Sequence, residues 1–131
     1  METSQNQPIL ALIRFAAFCG VLGVGLGALD GHGLEDRLEE AGRMDVWRSA
    51  TRYLLIHAVA TLAVALAGGA VRPIAGWLFA AGGLVFGGSL YTLCLTGVTK
   101  FGAITPIGGL LLLAGWGVLL IAPSGKLAKS R

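Results

Sequence analysis

The sequence predicts an all-α fold: an integral membrane, up-down four-helix bundle with a short amphipathic segment between helices 1 and 2. Three observations carry that expectation. Hydrophobic residues make up 55% of the 131-residue chain and charged residues only 13%, against about a quarter charged in an ordinary soluble domain. Four apolar stretches, at residues 9–29, 53–71, 75–95 and 102–122, each reach the roughly 20 residues needed to cross a hydrocarbon core of about 30 Å. Short connections between the later stretches force neighbouring helices to run antiparallel. A single transmembrane domain therefore accounts for residues 1–131.

Taken in order, residues 1–8 read as a polar tail. The first span carries Arg14 near its start, where a long basic side chain snorkels to the interface. Its second half reads GVLGVGLGAL. Gly23 and Gly27 form a GxxxG pair with Gly20 one turn earlier, and Gly83 and Gly87 repeat the spacing in the third span. Bare glycines let a neighbouring helix approach closely, so these five are assigned to helix packing. The stretch lacks the strand–turn–helix setting of a dinucleotide loop. It also lacks a basic leader and a small-residue cleavage site, so it reads as a permanent helix and not a signal peptide.

Residues 30–52 form the polar loop. They hold Asp30, Glu35, Asp36, Glu39, Glu40 and Asp45, six of the seven acids, and so lie in water. Leu34, Leu38 and Ala41 recur at helical spacing and Gly42 can end that turn, which predicts a short helix on the membrane surface. Trp47 falls at the depth of an interfacial tryptophan. Pro73 and Pro106 stand at the starts of the third and fourth spans, where a missing N–H needs no partner. Ala122-Pro123-Ser124-Gly125 closes the fourth.

The net charge of +3 is scattered, without the basic stripe of a nucleic-acid surface. Four spans put both termini on one side, flanked by Arg14, Arg72, Lys126, Lys129 and Arg131; the other side has Arg37, Arg43, Arg48, Arg52 and Lys100. The count is even. The acid-laced loop dilutes its own basic residues, which favours cytoplasmic termini. Cys19 and Cys94 fall inside spans and read as small buried hydrophobes.

Polar side chains inside a bilayer are informative because they are costly there. Ser49, Tyr53, His57 and Thr61 recur every four residues on the second span and share a face. Ser89, Thr92 and Thr96 follow three-and-four spacing on the third, with Tyr91 alongside. Asp30 and His32 close the first span and Thr105 opens the fourth. All fall toward the same leaflet. Two readings follow: a ligand, lipid-headgroup or ion site built from Asp30, His32, Tyr53, His57, Ser89, Tyr91, Thr92 and Thr105, or a hydrogen-bond network that staples the helices. In the second reading His57 bonds a Thr or Tyr of a neighbouring helix. Two histidines on separate segments fall short of the four ligands of structural zinc, and no Ser-His-Asp order, GxSxG or HExxH is present. No cofactor or metal is therefore expected.

The order of GALDGHGL (27–34), the Trp-x-x-Ala-x-x-Tyr-x-x-x-His run from Trp47 to His57, GGSLYTLCLTG (87–97) and GAITPIGG (102–109) resembles the small bacterial inner-membrane proteins of the YgdD/YwdK type. These form the domain-of-unknown-function family numbered four-two-three, with a relative in animal mitochondria. The family's usual G-A-F-G-A-H is here Gly27-Ala28-Leu29-Asp30-Gly31-His32, which sets a charge beside the histidine. The resemblance implies a multi-pass protein of the bacterial cytoplasmic membrane and supplies no activity. It singles out His32, Trp47, Tyr53, His57, Ser89, Tyr91, Thr105 and Pro106. Three functions remain open. The first is a non-enzymatic protein that binds a lipid or small molecule, or serves as an accessory subunit, with membrane lipids and a homo-oligomer or larger membrane complex as partners. The second is a small transporter using Asp30, His32 and His57. The third, ranked last, is an enzyme acting on lipid.

Overall fold

The computed structural model describes residues 2–68 and 72–122, with side chains for 6–68 and 73–122. The basic flank of Lys126, Lys129 and Arg131, the Pro123-Ser124-Gly125 stop, the 69–71 join and the side chain of Arg72 lie outside the described residues. Five α-helices follow one another: α1 (Glu2–Ala28), the short α2 (Glu35–Glu40), α3 (Met44–Ala67), α4 (Arg72–Thr96) and α5 (Thr105–Ile121), with a 3₁₀ turn at Thr99–Ala103 before the last. Among the described residues, four helical segments are long and apolar enough to cross a membrane: Asn6–Ala28, Met44–Ala67, Pro73–Thr96 and Thr99–Ile121. The protein is an all-α membrane bundle.

The bundle has a central pair and two flanks. Helices α3 and α4 pack along their length; α1 lies against α3 and touches α4, while α5 lies against α4. Burial follows that order. Of the most apolar window of each span, 39% and 44% is buried in α3 and α4, against 22% and 17% in the flanking spans. The outward faces are apolar, with Val21, Val59, Leu110 and Leu120 all well exposed. In lipid such a surface needs no further cover, since acyl tails are as apolar as the side chains.

Two boundaries differ from the apolar pattern. Helix α1 begins at Glu2 with Pro8 inside it, so the polar tail is helical too. Helix α3 begins at Met44, nine residues ahead of the apolar run at 53. Its first turns carry Asp45, Arg48 and Arg52, charges that reach water at a helix end and so hide the start from a hydropathy count.

The loop end is built from helix caps. Arg43 donates its backbone N–H to the Leu38 carbonyl at 2.8 Å and Gly42 to that of Glu39 at 2.9 Å, with Gly42 at φ 65°. That pair is the Schellman motif, which needs a left-handed residue at this position. It ends α2 and turns the chain into α3. Leu38 is 2% exposed, so α2 lays one leucine onto the bundle and leaves its acids in water. At the end of α4, Gly97 at φ 74° returns its N–H to the Leu93 carbonyl at 2.8 Å. The next two carbonyls are taken by the loop: Arg37 Nη2 donates to Leu95 O at 3.0 Å and Arg43 Nη1 to Cys94 O at 3.5 Å. Cations at a helix C-terminus satisfy orphan acceptors and complement the dipole.

Candidate functional site

The eight polar residues singled out by the sequence divide into separate groups. Asp30 Oδ2 accepts a hydrogen bond from Arg48 Nε at 2.9 Å, tying the end of α1 to the first turns of α3. His32 is exposed in the turn after α1; His57 lies 13 residues into α3, about 20 Å along the axis at 1.5 Å per residue. Tyr91 shares a 2.7 Å hydroxyl contact with Thr51, whose own hydroxyl lies 3.2 Å from the Trp47 carbonyl. Ser89 and Thr105 share another at 2.7 Å, joining α4 to the start of α5. Thr92 bonds the Gly88 carbonyl of its own helix. Tyr53 stacks on Phe86 with ring centroids 4.4 Å apart and on His57 at 6.0 Å.

His57 is 7% exposed and both its ring nitrogens are engaged. The indole N–H of Trp116 on α5 donates to Nε2 at 3.2 Å. An indole can only donate, so Nε2 accepts and Nδ1 carries the proton, which it gives to the Tyr53 carbonyl at 2.8 Å. Phe79, fully buried, lies against both rings at 5.5 and 4.8 Å. The sequence assigned His57 a Thr or Tyr partner on a neighbouring helix. The correction is that its cross-helix partner is a tryptophan, because the histidine faces the α4–α5 side where Phe79 and Trp116 meet it. The signal available in the sequence was Trp116 itself, an indole N–H deep in an apolar span that needs an acceptor.

Trp47 is the second correction. Its ring does not face lipid or headgroups but points into the bundle: it is 0% exposed, donates Nε1–H to the Leu26 carbonyl at 2.9 Å and meets Tyr91 edge-on at 4.6 Å. Because α3 begins at Met44, position 47 already lies between α1 and α4. Leu26 is in the last turn of α1, where its carbonyl takes a long 3.3 Å bond from the Leu29 N–H and has a lone pair left for the indole.

The glycines separate in the same way. A Cβ at Gly23 would lie 2.5 Å from Leu55, at Gly27 2.7 Å from Thr51, and at Gly87 3.3 Å from the Ala50 carbonyl. At Gly83 it would meet His57 and Leu54 at ordinary contact distance. Gly20 is the third correction: a Cβ there would meet nothing within 4 Å. The residues around it, Ala16, Ala17 and Ala58, are small, so Gly20 faces open space.

That space is a groove of about 360 Å³ between α1 and α3. Ala16, Ala17 and Gly20 form one wall and Ala58, Val59 and Leu62 the other, with Ile13 and Leu55 at its ends. Its lining offers no polar side chain. Val59 is 67% exposed, so the groove opens onto the membrane. The volume falls within the range of small-ligand sites, roughly 300–1,000 Å³. Among the described residues, no three His, Cys, Asp or Glu side chains are grouped as metal ligands.

Fold and groove thus define a small, four-span membrane protein whose membrane-depth polar groups are largely spent on joining helices. A family model described as a protein of unknown function (DUF423) matches residues 26–109. The chain is 44% identical over 113 residues to a UPF0382 membrane protein of Staphylococcus epidermidis, covering 84% of this chain and 92% of that one. It is 39% identical to the UPF0382 membrane protein YwdK of Bacillus subtilis, covering 84% and 93%. A UPF0382 membrane protein of Schizosaccharomyces pombe is 38% identical, covering 86% of this chain and all of its own. The protein belongs to the DUF423 family. No solved structure matches it.

Proposed function

We propose that this protein is a non-enzymatic lipid-binding protein of the membrane, which holds an acyl chain in the groove between α1 and α3. The groove carries the proposal: it is the apolar concavity left where Gly23 and Leu55 stop touching and the small residues Ala16, Ala17, Gly20 and Ala58 leave room. The polar residues support a supporting role for themselves. His57 has both nitrogens bonded and Asp30 is paired with Arg48, so a proton path through Asp30, His32 and His57 has no free carriers at its first and last stations. We place the protein in the bacterial cytoplasmic membrane with cytoplasmic termini. Bacterial relatives support the membrane, and a reporter fused to the C-terminus checks the side.

The test is lipid retention. Wild-type protein extracted in mild detergent is expected to show bound phospholipid by native mass spectrometry. Gly20→Leu is expected to lose it with helicity unchanged, since the new side chain enters space that holds no atom within 4 Å of its Cβ. Equal retention by both proteins overturns the proposal.

A further inference from the structure

An exposed cation stands on α1 beside the Ile13 end of the groove, outside its lining. Arg14 is exposed on α1, next to Ile13 at the groove's end and three residues from Ala17 on its wall. It shares the outward face of α1 with Phe18, Val21 and Val24, which are 53%, 73% and 66% exposed, so its surroundings on that face are apolar. Among the described residues, Asp30 and Arg48 form the one ion pair and Arg14 has no acidic partner. It stands eight residues inside the span that begins at Asn6, about 12 Å at 1.5 Å per residue. A guanidinium at that depth reaches toward the headgroup layer, and its fork of donors matches a phosphate bidentately.

The groove begins at Arg14's level and crosses the middle of the first span. From Ile13 to Gly20 it spans about 10 Å, the direction an acyl chain takes from a headgroup at the N-terminal side of α1. We infer that the bound molecule is an anionic phospholipid of the leaflet on that side, its phosphate on Arg14 and one chain between α1 and α3. This rests on the lipid-binding reading and adds the headgroup charge and the leaflet. A zwitterionic lipid presents the same phosphate already paired with its own ammonium, so it competes less well.

The experiment is native mass spectrometry of the full chain from nanodiscs of equimolar phosphatidylglycerol and phosphatidylcholine with matched chains, for wild type, Arg14→Gln, Arg14→Lys and Gly20→Leu. Wild type is expected to retain phosphatidylglycerol about fivefold over phosphatidylcholine, the weight of one interfacial cation. Arg14→Gln is expected to keep a lipid with a ratio near one, and Arg14→Lys to keep most of the preference. Gly20→Leu is expected to lose both lipids. A wild-type ratio near one, or a preference that survives in Arg14→Gln, overturns this inference and leaves the groove reading standing. Loss of all lipid from wild type overturns both. A dimer retained in place of lipid and broken by Arg14→Gln assigns the cation to a second copy and overturns the lipid assignment.

Discussion

Gly108 is where α5 comes closest to α4, and replacing it with alanine gives a worked test of the packing. The new Cβ would stand 2.5 Å from the Phe86 backbone nitrogen, 2.8 Å from its Cα and 2.9 Å from its Cβ. Ordinary contact between heavy atoms begins at about 3.5 Å, and backbone atoms cannot rotate aside. Helix α5 must therefore retreat by about 1 Å, where overpacking of this kind typically costs about 1–3 kcal/mol. The retreat also stretches the Ser89–Thr105 contact from 2.7 Å and the Trp116–His57 bond from 3.2 Å. Hydrogen bonds between membrane helices average about 0.6 kcal/mol each. Alanine's better helix propensity offsets about 1 kcal/mol, which leaves Gly108→Ala about 1–3 kcal/mol less stable. At Gly117 the same change meets no atom within 4 Å, so only the propensity gain of up to about 1 kcal/mol remains. The assay is unfolding in mixed micelles titrated with sodium dodecyl sulfate, followed by circular dichroism. Opposite signs are expected for the two variants. Equal stability of Gly108→Ala and wild type would refute the close α4–α5 contact.

Three further outcomes follow from the staples. Trp47→Phe keeps one aromatic ring but removes the pyrrole half of the indole and with it the donor to Leu26 O; a loss of at least about 1 kcal/mol is expected in the same titration, and an unchanged midpoint contradicts the bond. A double-mutant cycle of His57→Phe and Trp116→Phe is expected to give a favourable coupling of about 0.6 kcal/mol, at most about 1.7, whereas zero coupling separates the two rings. Replacing Arg37 and Arg43 together by glutamine frees the Leu95 and Cys94 carbonyls. Faster amide exchange is expected in the last turn of α4 and near Gly97, with the middle of α4 unaffected.

The four spans were legible because lipid demands long apolar helices, and their antiparallel order followed from short connections. What sequence could not give was rotation about each axis. The periodicity placed Tyr53, His57 and Thr61 on one face of α3; His57 and Thr61 do point inward, with Thr61 0% exposed and bonded to the His57 carbonyl at 2.7 Å, while Tyr53 is 42% exposed. Which helix that side meets depends on neighbours, so Trp116 and Phe79 went unread. The burial of Trp47 went unread because Arg48 and Arg52 broke the apolar run and hid the start of α3 at Met44. Residues 27–38 could be read from sequence as a site or as a helix end, and they fold as a helix end and cap, with Asp30 on Arg48 and Arg37 on the end of α4. The groove left no sequence signal of its own: Gly20 continues the Gly23–Gly27 line, and only the empty space around it distinguishes it.

The lipid-binding reading is tested most directly by photo-crosslinking in native-like bilayers, with a phospholipid bearing a diazirine in its acyl chain, and mapping the adducts by peptide mass spectrometry. Adducts concentrated on Ile13, Ala17, Val59 and Leu62, and lost in Gly20→Leu, are the expected result. An even scatter over the outward faces, with Val21, Leu110 and Leu120 labelled as heavily as the groove, would mean that lipid only solvates this protein and that the groove holds none.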